Sequence, residues 1–150
     1  MKATDLLKKQ HRQVKGLFKQ LEKTENGRGR RDLMDQIAQA LKMHTQIEEE
    51  IFYPAVAEIG SQKAREMTME AFEEHHVVDL VLAELPKVDP EDERFEAKMT
   101  VLMELVEHHV EEEEKEMFKL AQKLGNDELK ALGERMEEMA GRVGQRRQAA

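Results

Sequence analysis

His44-Thr-Gln-Ile-Glu48 and His109-Val-Glu-Glu-Glu113 share one spacing, a histidine followed four residues later by a glutamate. In an α-helix residues i and i+4 stack on one face, so each segment offers an imidazole nitrogen and a carboxylate to a single point. Two further stretches of helical periodicity carry histidines of their own, His11 and His75. The repeat reads as a two-metal site built inside a helix bundle.

Outward from these pairs, apolar positions recur at helical spacing in four long segments. The first opens on Thr4 or Asp5 as a cap and carries Leu7, His11, Val14, Phe18 and Leu21 on one stripe. It is broken by Asn26-Gly27-Arg28-Gly29. The second runs from about Asp32 to Glu58 through Leu33, Ile37, Leu41, His44, Glu48 and Ile51, and ends at Gly60-Ser61. Pro54 is expected to kink it, because proline lacks a backbone donor and crowds the carbonyl one turn back. The third covers Gln62 to Leu85, with Phe72, His75, Val78, Leu82 and Leu85 on one face, and stops at Pro86.

Asp89-Pro90-Glu91-Asp92 has the composition of a helix start: a capping aspartate, proline at the first position, acids in the first turn. The fourth stripe is Leu102, Val106, His109, Glu113, Met117, Leu120 and Leu124. After Gly125-Asn126, a short fifth helix from Asp127 through Leu129, Leu132, Met136 and Met139 should cover one end of the bundle, followed by a frayed tail over residues 145–150. The pattern predicts an all-α, up-down-up-down four-helix bundle over residues 1–124, with residues 125–150 completing the same domain.

That topology requires ligands to share a level. His11 lies about as far from the end of helix one as His44 lies from the start of helix two, and the same holds for His44 and His75. His109 is offset from His75 by roughly six residues, about 9 Å at 1.5 Å per residue. Either helix four overhangs helix three, or the Pro90 region forms a separate turn.

Composition bounds the function. In 150 residues, charged residues make up 37% and the formal net charge is −8, so cationic ligands are favoured and nucleic acid is not an expected partner. There is no cysteine, which excludes thiolate metal sites, disulfides and thiol redox chemistry. No stretch approaches membrane-spanning length and the first residues lack a leader pattern, so a soluble cytoplasmic protein is expected. The 10 methionines suit irregular core gaps, and several could line an apolar route for a small gas.

Several segments together resemble the hemerythrin-like, or HHE cation-binding, domain family. They are Asp5-Leu-Leu-Lys-Lys-Gln-His11, His44-Thr-Gln-Ile-Glu48-Glu-Glu-Ile-Phe-Tyr-Pro54, Glu74-His75 and His109-Val-Glu-Glu-Glu113-Glu-Lys-Glu-Met-Phe118, spanning about residues 4–124. The resemblance implies a non-haem di-iron centre, with His11 and His44 on one iron, His75 and His109 on the other, and Glu48 and Glu113 bridging. A sulfur-free imidazole and carboxylate set suits iron or manganese, with zinc a further candidate.

The chain departs from oxygen-carrying hemerythrins at Asp79, where they place another histidine, and at Glu113-Glu114, where they end in aspartate. Asp79, Tyr53, His76, His108 or water could complete the shell, and a harder oxygen ligand would move the chemistry away from reversible oxygenation. His76 and His108 point about 100° from the ligand face, Glu49 and Glu114 are expected at the surface, and Tyr53 is expected to pack beside Pro54. The ferritin-like alternative needs two Glu-x-x-His pairs, of which Glu73-Glu-His-His76 supplies one.

Three functions are compatible with this reading. The first is a protein that binds or senses dioxygen, peroxide or nitric oxide, and the second an oxidoreductase that turns over peroxide or dioxygen. The third is a metal-free helical interaction module.

Overall fold

The computed structural model describes the backbone of residues 1–149 and the side chains of residues 1–144. Every regular element among the described residues is helical. The first helix, α1, is Ala3–Lys23. The second, α2, is Gly27–Ile47, continued by a π-helical turn Glu48–Phe52 and a last turn Tyr53–Ala57. The third, α3, is Gln62–Glu84 with a 3-10 extension Leu85–Lys87. The fourth, α4, is Glu93–Glu112, a second π-helical turn Glu113–Met117, then Phe118–Ala121 and Gln122–Leu124. The fifth, α5, is Asn126–Ala149.

The hydrophobic core is divided in two, and the division fixes the topology. On α1, Leu6 and Leu7 of one cluster precede His11, while Val14, Phe18 and Leu21 of the other follow it. On α2 the order reverses: Ile37 and Leu41 of the second cluster come first, and Ile47 and Phe52 of the first come after His44. The order flips again on α3, with Ala71 before His75 and Val78 and Leu82 after, and once more on α4, with Leu102 and Val106 before His109 and Met117 and Phe118 after. Successive helices therefore run in opposite directions, and the four histidines form a polar band between two apolar layers. α5 closes the first layer with Leu129, Leu132 and Met136.

Several sequence expectations are corrected. Neither Thr4 nor Asp5 caps α1, which starts at Ala3 with no side-chain cap; Ala3 is fully buried where α1 meets Gly133 of α5, so packing rather than capping sets this end. Asn26 caps α2 instead of breaking α1, its side chain accepting from the Gly29 amide at 2.7 Å. Asp89 caps only a turn, receiving the Glu91 amide, and α4 begins three residues later with Asp92 as its cap. This separate turn, with the 3-10 extension of α3, brings the His75 and His109 rings to a 4.8 Å centroid separation.

Phe72 is not a core residue but 39% exposed. The fifth helix is long rather than short, at 24 residues, and its backbone is helical to Ala149 through most of the expected tail. Residue 150 and the side chains of residues 145–150 lie outside the described residues. The far end of the bundle is tied by arginines: Arg31 donates to the carbonyls of Leu85 and Val88, and Arg30 to those of Thr24 and Pro90. No helix among the described residues is long and apolar enough to cross a membrane.

Candidate metal centre

The two π-helical turns begin at the two glutamates of the sequence repeat, Glu48 and Glu113. In a continuous α-helix the residue four beyond Glu48, Phe52, would share its face. The π turn inserts one residue, so the Tyr53 amide bonds back five positions to the Glu48 carbonyl, and Tyr53 takes the inward position. Phe118 does the same relative to Glu113. Pro54 favours the widening on α2, because an α-turn there would set its ring against a carbonyl four back. The π turn on α4 forms without a proline. The kink expected at Pro54 is thus a change of register, and Tyr53 points into the site instead of packing beside it.

The structure brings all six sequence-derived residues to one point. His11, His44, Glu48 and Glu113 form one group, and Glu48, His75 and His109 a second, with ligand-capable atoms in each group within 4.8 Å of one another. Glu48 Oε1 lies 3.1 Å from His44 Nε2 and 3.2 Å from His75 Nε2. Glu113 Oε1 lies 3.2 Å from His11 Nε2, and its Oε2 lies 3.2 Å from His109 Nε2. Each carboxylate therefore spans from one histidine pair to the other. All six residues are buried.

A second ring of side chains sets the histidine tautomers, and sequence reading missed it. His44 Nδ1 donates to Gln10 Oε1 at 2.6 Å and His109 Nδ1 to Glu74 Oε1 at 2.8 Å. His11 Nδ1 donates to Glu114 Oε2 at 2.9 Å and His75 Nδ1 to Glu49 Oε2 at 3.0 Å. The arrangement has internal two-fold logic. The residue before each histidine on α1 and α3 orients the histidine of the next helix. The residue after each central glutamate on α2 and α4 orients a histidine on α3 or α1. Glu49 and Glu114 are partly exposed but are not idle surface charges. The doublets Gln10-His11 and Glu74-His75, and Glu48-Glu49 and Glu113-Glu114, were the available signal.

In the neutral tautomer that keeps the proton on Nδ1, each Nε2 directs a lone pair at the centre. There it meets carboxylate oxygens, which also only accept. Among the described residues, His11 Nε2, His44 Nε2, both oxygens of Glu48 and Glu113 Oε1 are buried without a hydrogen-bond partner. Lone pairs facing lone pairs in a dry interior are costly unless a cation lies between them. The donor set fits a metal.

The titration behaviour describes the same field. Burial pulls the His109 imidazole down, but its contacts with Glu113, Glu48 and Glu74 outweigh this and hold its pKa well above the ordinary value. Burial likewise works against His11 and His75, but the carboxylate of Glu113 beside His11 and that of Glu48 beside His75 leave both pKa values raised. Burial alone would raise Glu48, yet the field of His44 and the close approach of His109 hold it well below the usual carboxylate range. The cluster attracts positive charge, supplied by protons on these imidazoles or by a metal ion in their place.

Tyr53 occupies the centre as well. Its hydroxyl donates to Glu113 Oε2 at 2.7 Å and lies 3.1 Å from both His75 Nε2 and His109 Nε2. Burial first, and then Glu48 and Glu113, push the phenol well above its ordinary pKa, so it keeps its proton. The equivalent position in the other half is Phe118, stacked on His11 at 6.2 Å. The halves differ: Tyr53 and Glu74 serve the His75/His109 side where Phe118 and Gln10 serve the other. His76 and Asp79 are exposed and outside both groups. His108 is exposed too and belongs to a separate surface group with Glu74 and Glu112.

The hemerythrin HHE cation binding domain matches residues 2–121. The fold is similar to the crystal structure of a hemerythrin HHE cation binding domain-containing protein from Mycobacterium kansasii, a homolog of Rv2633c, with a TM-score of 0.81 and 27% identity over 99% of this chain and 89% of that one. "Uncharacterized protein Rv2633c" of Mycobacterium tuberculosis is 31% identical over 139 residues, 91% of this chain and 83% of its own length. A DNA nickase of Nostoc sp. is 25% identical over 118 residues, which are 79% of this chain and only 33% of that protein. The chain belongs to the hemerythrin HHE cation-binding domain family.

Proposed function

We propose that this chain is a non-haem di-iron protein that binds or senses a small oxidant, dioxygen, peroxide or nitric oxide. His11 and His44 would hold one iron and His75 and His109 the other, with Glu48 and Glu113 bridging. The observation that carries this reading is the set of buried, partnerless lone pairs on His11, His44, Glu48 and Glu113, all facing one another. A metal-free interaction module would leave that set unsatisfied. Imidazole and carboxylate without sulfur suit iron or manganese better than a closed zinc site.

Bound iron would supply the electron transfer and open coordination that these side chains lack. The protein does the rest. Gln10, Glu49, Glu74 and Glu114 fix each imidazole in the tautomer that turns Nε2 inward. On the face opposite Tyr53, the four histidines and Val14, Leu41, Thr45, Val78, Val106 and Val110 enclose a cavity of about 20 Å³. That volume suits one water-sized or diatomic guest.

The second reading, turnover of peroxide or dioxygen, is favoured by Tyr53. Its phenol is a buried proton donor at the centre, held on Glu113 Oε2. One experiment separates the readings: iron-reconstituted protein is mixed with excess peroxide and the peroxide remaining is followed. Loss of about one equivalent per protein means binding or stoichiometric reaction, whereas sustained loss that slows in Tyr53→Phe means an oxidoreductase. Zinc and manganese reconstitution in parallel tests the metal.

A further inference from the structure

The 20 Å³ cavity against the histidines is lined mostly by buried side chains, and it has a near neighbour at the surface. Between α1 and α4 runs a surface groove of about 480 Å³ whose apolar floor includes Val14, Phe18, Met103, Val106 and Val110. Val14, Val106 and Val110 line both spaces. These three valines stand between the groove and the histidine cavity. Val14 and Val106 are buried and Val110 is half-buried.

We propose that Val14, Val106 and Val110 form a gate through which uncharged diatomic molecules reach the metal centre, and that their bulk sets the rate of access. The inference rests on the di-iron reading above. Each valine has one side-chain torsion, held mostly in one rotamer on a helix, so a brief excursion of a single residue to a minor rotamer moves a methyl group out of the wall without disturbing the helix. Nothing in the wall offers a hydrogen bond, so a charged species crossing it would lose its hydration without replacement. Dioxygen and nitric oxide carry no such penalty. The alternative approach, between α3 and α4, is chemically different: Glu70, Glu74, Glu112 and Glu116 surround a narrow space leading to His109 and Glu113. That path suits cations and water.

The test uses full-length protein in two states. In the iron-loaded protein, stopped-flow association of nitric oxide should slow about tenfold or more in Val110→Phe and quicken several-fold in Val110→Ala and Val14→Ala. Iron content and the final spectrum should match the unaltered protein. In the metal-free protein under xenon pressure, methyl resonances of Val14, Val106, Leu41 and Val78 should shift, and Val110→Phe should slow or abolish the shifts of Leu41 and Val78.

Unchanged association rates in all variants that load iron normally would overturn the gate. So would xenon reaching Leu41 and Val78 equally well in Val110→Phe. If Val110→Phe fails to hold iron, the alanine variants decide, because they add no bulk. If the unaltered protein takes up no iron, the di-iron reading fails by itself, and the xenon experiment still answers whether the passage exists.

Discussion

Removing the metal should lower the thermal stability of this protein by a large and calculable amount. Five buried side-chain atoms in the centre lack a hydrogen-bond partner: His11 Nε2, His44 Nε2, Glu48 Oε1 and Oε2, and Glu113 Oε1. An unsatisfied buried polar atom costs about 1–3 kcal/mol. At the low end the five amount to about 5 kcal/mol, a third or more of the total stability usual for one domain. Protons shared among the histidines offset part of this, which is why the low end is the appropriate figure. For a chain of this size each kcal/mol moves the Tm by about 2–4 °C, so loading with iron should raise the Tm by about 10–20 °C. The assay is far-ultraviolet circular dichroism of iron-loaded and chelator-stripped protein at one protein concentration. In Glu48→Ala the gain should largely vanish. A difference below about 3 °C between the two forms of the unaltered protein would refute the argument, because the lone pairs would then be satisfied without metal.

Other consequences are as specific. Tyr53→Phe removes a bond to the buried Glu113 carboxylate and should cost about 1.5–3 kcal/mol in urea denaturation while keeping iron. It should also change the visible spectrum of the oxidised protein. Glu74→Ala removes the acceptor that orients His109 and should weaken iron binding about 10–100-fold in chelator competition, with Glu74→Gln recovering most of the loss. Gly133→Ala would drive a Cβ into the Met1 carbonyl and set it 2.9 Å from the Ala3 amide. Overpacking of about 1–3 kcal/mol should outweigh the roughly 1 kcal/mol helical gain over glycine, and a higher denaturation midpoint would show that the α1–α5 contact is loose.

The bundle was legible because its helices obey simple periodicity. Leu7, His11, Val14 and Phe18, or Leu102, Val106 and His109, repeat at the helical spacing. The histidines share a phase with the apolar stripe, which identifies them as interior. The helix ends were read less well. Asp89-Pro90 has the chemistry of a cap, but Asp92 has it too, and the chain uses the second for the helix and the first for a turn. α1 starts early because Ala3 is buried against another helix, a tertiary effect no local signal carries.

The π turns were invisible for a related reason. They shift the register by one residue after Glu48 and Glu113, so α-helical arithmetic puts Phe52 at the metal-facing position, whereas Tyr53 takes it and Phe52 packs in the apolar core. The orienting carboxylates were hidden by their own solubility. Glu49 and Glu114 sit in acidic runs that look solvated, and each serves a histidine more than twenty residues distant in sequence. Only their repetition one position after each central glutamate distinguished them.

Whether the six residues form one di-iron centre is decided by the iron stoichiometry of the protein after anaerobic ferrous reconstitution and removal of excess metal, measured beside His11→Ala and His75→Ala. A di-iron centre requires about two irons per chain in the unaltered protein, with ligand-to-metal absorption bands that change on adding azide. It also requires a loss of iron in each variant, because the substitutions strike opposite halves of one centre. Zinc or no metal in the unaltered protein, or full iron in both variants, would contradict it.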